Sequence, residues 1–73
     1  MTSMAENLID REYYPELDLI MWDRADRLVS EEAAFHLYET RWRYVDQKRL
    51  KPEEKAMITR LATKYGHGVM LTA

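Results

Sequence analysis

The chain has no cysteine, only two histidines (His36 and His67), two glycines and two prolines in 73 residues. Without cysteine there are no disulfides and no thiolate zinc sites. Two histidines are too few for a histidine-based structural zinc site. No metal or cofactor is therefore expected. No apolar run approaches the ~20 residues of a membrane span. The start, Met1 to Glu12, lacks the basic and apolar regions of a signal peptide. We expect a cytoplasmic protein with no membrane association. A domain this short buries little surface and usually needs a brace. With disulfides and metals excluded, self-association is the common brace that remains.

Charged residues make up 33% of the chain, and the net charge is −2. That sum conceals two unlike halves. Residues 1–32 carry nine acids and three bases, a balance of −6, while residues 33–73 carry four acids and eight bases, a balance of +4. Such a layout favours association of one half with the other, within a chain or between two.

Residues 1–13 are polar without a helical period and are expected to form a loose arm ahead of a single helical domain, 14–73. Tyr14 precedes proline, which disfavours helix there, and Pro15 suits a first helical position with Glu16 and Asp18 at the positive end of the dipole. The segment Leu17 to Asp26 fits either period. Leu17, Ile20, Met21 and Arg24 follow helical spacing, whereas Leu17, Leu19 and Met21 alternate like a strand. The scarcity of β-branched residues favours a short helix.

Ser30 followed by Glu31 and Glu32 marks a helix start, and Val29 and Ala34 have the spacing of a hydrophobic staple. Phe35, Tyr38, Trp42 and Val45 then recur at intervals of three, four and three, predicting a helix over 31–46 with these residues inside. Asp46 to Lys51 reads as a polar connection. Pro52, Glu53 and Glu54 open a further helix whose buried face is Met57, Ile58, Leu61, Ala62 and Tyr65. Gly66 suits a left-handed cap at its end. Val69, Met70 and Leu71 form a short apolar tail. The expected fold is all-α, a small three-helix bundle-like domain with a loose N-terminal arm and a short C-terminal tail.

Residues 38–46 interleave large aromatics with arginines, and Trp, Tyr and Arg are the side chains most enriched at binding hot spots. Glu39 and Arg43 have the spacing of a helical ion pair. Arg41, Arg43 and Tyr44 flank the inner stripe and, with Trp22, do not fit inside one small core. These four are the expected partner-binding residues. A second candidate is the basic row Lys48, Arg49, Lys51 and Lys55, continued by Arg60 and Lys64, which resembles a nucleic-acid footprint. Against it stand an acidic chain and a connection longer than that of a DNA-binding helix-turn-helix.

No catalytic residues are expected. His67 lies between two glycines and His36 stands alone. The carboxylates Asp23, Asp26, Glu31 and Glu32 flank helix ends, where capping accounts for them. No phosphate loop or nucleophile–base pattern occurs. The residues thus point to a non-enzymatic protein-interaction module, a small regulator or accessory subunit, pairing as a homodimer or with another protein. A nucleic-acid-binding regulator is the alternative.

Overall fold

The computed structural model describes residues 8–68. The chain runs β1 (Leu8–Asp10), α1 (Pro15–Ile20), β2 (Leu28–Ser30), α2 (Glu31–Arg41) and α3 (Pro52–Tyr65), with 3-10 turns at Arg11–Tyr13, Trp42–Tyr44 and Gln47–Arg49. This corrects the all-α expectation. β1 and β2 pair antiparallel, with Leu8 opposite Ser30, Ile9 opposite Val29 and Asp10 opposite Leu28. The arrangement is mixed α/β. Residues 8–13, expected within a loose arm, form a strand and a turn. The expected tail at Val69 to Leu71 lies outside the described residues.

Neither strand carries a sequence signature, because each has three residues, too few for an alternating period to register. Pairing and burial create them. Ile9 and Val29 turn into the core, while Leu8 and Leu28 face outward on the same small sheet. Asp10 accepts from Arg27 Nε at 2.9 Å, and the Arg11 N–H reaches the Arg27 carbonyl at 3.1 Å, extending the ladder.

α2 begins as expected. Ser30 is its N-cap, accepting from the Ala33 N–H at 3.2 Å. The helix ends at Arg41, short of the expected Asp46, because Trp42–Tyr44 tighten into a 3-10 turn. The tightened turn still delivers Val45 to the core, and the Asp46 N–H goes to the Glu16 carboxylate at 2.8 Å rather than up a helix. Phe35, Tyr38 and Val45 are buried, whereas Trp42 is half-buried at the rim, edge-on to Tyr38. α3 starts at Pro52 and buries Met57, Ile58 and Leu61. Its end differs from expectation. Gly66 has φ −116°, and the left-handed residues are His67 and Gly68, so the Ala62 carbonyl collects the N–H groups of both Gly66 and Gly68.

The core joins all five elements through Ile9, Leu17, Ile20, Val29, Tyr38 and Leu61, among others. Three carboxylates lie inside it. Glu54 accepts from the backbone N–H groups of Glu16 (3.3 Å) and Leu17 (2.9 Å) and from the Tyr38 hydroxyl (2.6 Å). It thereby serves as the N-terminal cap that α1 lacks locally, since Tyr14 contributes no side-chain cap. Glu16 binds the Asp46 N–H, and Glu31 is held by Arg60, Lys64 and the Tyr65 hydroxyl. Each buried acid thus has hydrogen-bond donors, as burial demands.

Candidate contact surface of arginine and aromatic side chains

The residue after α1 is Met21, and the chain then turns through 22–26 without regular structure. Trp22 stands on this turn. Tyr44 stands on the 3-10 turn after α2. The two rings meet edge to face, with centroids 5.2 Å apart, and both remain open to solvent at 57% and 51% exposure. Arg41 lies over the Trp22 ring at 4.3 Å, donates two hydrogen bonds to the Asp23 carboxylate at 2.8 and 2.9 Å, and donates a third to the Ile20 carbonyl at 2.8 Å. Arg43 sits over the Tyr44 ring at 5.8 Å. Leu19, in the last turn of α1, is also 53% exposed.

The fold therefore brings together Trp22, Arg41, Arg43 and Tyr44, which lie on two separate segments. The ring that Arg41 covers, Trp22, comes from outside its own helix and is 19 residues away in sequence. The hydrogen bonds from Arg41 hold the Asp23 carboxyl down at about 2, well below its ordinary value. The same bonds raise Arg41. A guanidinium fixed by a bidentate carboxylate and a carbonyl has few orientations left, so the Trp22 face is covered by a rigid cation.

Lys48, Arg49, Lys51 and Lys55 are exposed. They do not form one row with Arg60 and Lys64, because both of those cations turn to Glu31. Lys51 shares an open cleft of about 390 Å³ with the acids Glu12 and Glu53. A second open cleft, about 450 Å³, lies between β1 and Arg60 and is walled by Tyr13, Tyr14 and Glu31. Burial pushes the Glu31 carboxyl up, but hydrogen bonds from Arg60 and Lys64 outweigh it and leave it below its ordinary value. Its oxygens are occupied by those donors. His36 and His67 are both exposed. Among the described residues no three metal-ligating side chains cluster.

Sequence reasoning missed Glu16, Glu31, Glu54 and Arg11. A signal existed for two of them. Glu54 is in phase with Met57, Ile58 and Leu61, and Glu31 with Ala34, Phe35 and Tyr38, so each acid occupies a position on an inward face.

Compared with known proteins, the chain matches no protein-family model, no curated protein and no solved structure. No described helix is long and apolar enough to cross a membrane.

Proposed function

We propose that the protein is a non-enzymatic interaction module, a small cytoplasmic regulator or accessory subunit, whose contact surface is Trp22, Arg41, Arg43 and Tyr44. One observation carries this reading: two large aromatic side chains stay half exposed while arginines and a bidentate ion pair hold them in fixed positions. Rigid, exposed Trp, Tyr and Arg give large contact area at small entropic cost on binding. The partner is a second copy of the chain or another protein.

The test uses the purified chain and a Trp22→Ser/Tyr44→Ser variant as baits, with sedimentation equilibrium run in parallel. Wild type retains a partner, or itself, in moderate salt, and the folded double variant does not. A double variant that keeps every interaction of the wild type refutes the assignment. The alternative of nucleic-acid binding through Lys48, Arg49, Lys51 and Lys55 has its own signature, an affinity for single- or double-stranded DNA that falls steeply with salt.

A further inference from the structure

One member of the contact surface, Trp22, sits on a stretch with little structure of its own. Residues 21–26 leave α1, turn, and reach β2, with a local bond from the Arg24 N–H to the Met21 carbonyl at 3.0 Å. Trp22 and Asp23 ride on this stretch. On its other side lies Arg11, from the turn after β1.

Arg11 Nε donates to the Asp18 carboxylate at 2.6 Å. One terminal nitrogen reaches the carbonyls of Arg24 (2.7 Å) and Asp26 (3.1 Å). The other reaches those of Asp18 (3.2 Å) and Met21 (3.1 Å). The side chain is only 15% exposed. One guanidinium thus gathers four backbone carbonyls around Trp22 and Asp23, two of them from the end of α1. The planar fork of arginine makes this possible; an ammonium presents its donors from a single point.

We propose that Arg11 is the positioning residue of the aromatic contact surface. By holding the carbonyls of residues 18, 21, 24 and 26 it sets the course of the turn, so that Trp22 and Asp23 are in place for Arg41 before any partner arrives. The proposal rests on the contact role assigned above, and it concerns how that surface is made rigid. Binding then meets a preformed face, and the cost of ordering the turn is not charged against affinity.

The test is made in a Trp42→Phe background, which leaves Trp22 as the sole tryptophan. Arg11→Gln is compared with its parent by far-UV circular dichroism, acrylamide quenching and time-resolved fluorescence anisotropy. At unchanged helix content, the quenching constant of Trp22 is expected to rise roughly twofold or more, with a larger amplitude of nanosecond motion. Arg27→Gln is the control. It breaks the pair with Asp10 but leaves the Arg11 bonds intact, and it is expected to leave Trp22 unchanged. Equal quenching in Arg11→Gln and its parent overturns the proposal, as does an equal rise in Arg27→Gln.

If Arg11→Gln does not fold, the wild-type chain decides by nuclear magnetic resonance. Arg11 guanidinium protons that exchange and rotate slowly beside those of the exposed Arg24 support the clamp, and a freely rotating group refutes it. None of these readouts involves a partner. A variant Trp22→Ser that loses binding, with Trp22 unmoved in Arg11→Gln, keeps the contact role and refutes the clamp. A Trp22 that loosens in Arg11→Gln on a chain that binds nothing does the reverse.

Discussion

The two ends of α1 are fastened by opposite means. At its start, Glu54 reaches across from α3 and receives two backbone N–H groups and a phenol in a site closed to water. At its end, Arg41 binds the Ile20 carbonyl and Arg11 binds those of Asp18 and Met21, both guanidinium groups partly covered and both also paired with half-exposed carboxylates. The signs match the helix dipole, with an anion at the positive end and cations at the negative end. Six residues are too few for a helix to stand alone, so α1 exists because the rest of the chain caps it. The buried end is expected to govern folding, because an unmade bond there is not replaced by water. At the other end, the paired carboxylates Asp18 and Asp23 are half exposed and have water as an alternative partner.

Removing Glu54 is expected to have the largest effect. Glu54→Ala leaves two backbone donors and a hydroxyl without an acceptor, and each such orphan costs about 1–3 kcal/mol. The sum reaches or exceeds the ~3–5 kcal/mol that a domain of this size commonly holds. The variant should be largely unfolded by far-UV circular dichroism, and Glu54→Gln, which keeps one acceptor oxygen, should lie between it and wild type. A Glu54→Ala chain with a native urea midpoint would show that the two ends do not differ as argued.

Tyr38→Phe comes next. It removes one donor to Glu54 while keeping the ring, at a cost of roughly 1.5–3 kcal/mol for a bond to a charged group. It also changes the alkaline limb. Burial first, and then Glu54, push the Tyr38 phenol far above its ordinary value. The unfolded phenol ionises near ~10, so above that pH the unfolded state sheds a proton that the folded state keeps. Stability is full below ~10 and falls as pH rises past it. Urea midpoints between pH 8 and 11 should decline in wild type by a component that Tyr38→Phe lacks.

The acid limb sharpens the contrast from the exposed end. Hydrogen bonds from Arg41 hold Asp23 at about 2, and those from Arg27 lower Asp10. A lowered carboxyl contributes stability above its unfolded value and loses it as pH falls through the folded one. Midpoints should therefore drop from pH ~4 toward the value near 2 that Asp23 keeps when folded. Asp23→Asn should flatten the lower part of that decline. Because the group is solvent-exposed, the flattening should be smaller than either effect at the buried end. A variant curve that superimposes on wild type would remove Asp23 from the account.

The smallest change in stability is expected at the contact surface itself. Trp22→Ser and Tyr44→Ser remove half-exposed rings and should each shift stability by no more than about 1 kcal/mol, while binding is lost. Truncation of either ring that unfolds the chain would make the patch part of the core.

Much of this was open to sequence reasoning at the level of helices and little of it at the level of ties. Pro15, Ser30 and Pro52 marked three helix starts, and Trp22, Arg41, Arg43 and Tyr44 were grouped from composition and spacing. The end of α2 was misjudged because the Asp46 N–H is claimed by Glu16 from a distant segment. Glu31 and Glu54 read as first-turn acids of their own helices because the dipole argument is satisfied by any acid there. Their phase with the apolar face was the sign that they turn inward.

The sequence by itself determined where helices begin, which helical faces are apolar and that no disulfide can brace the fold. Those properties depend on residues within four or so positions of one another, through backbone sterics, capping and the 3.6-residue period. Tertiary structure alone decided the β1–β2 pair, the length of α1, the burial of three glutamates and the hydrogen-bond partners of Arg11 and Arg41. Each of these depends on a donor meeting an acceptor from a separate segment. Such a meeting has no local signature, because a buried hydrogen bond is won only once packing has removed the competing water.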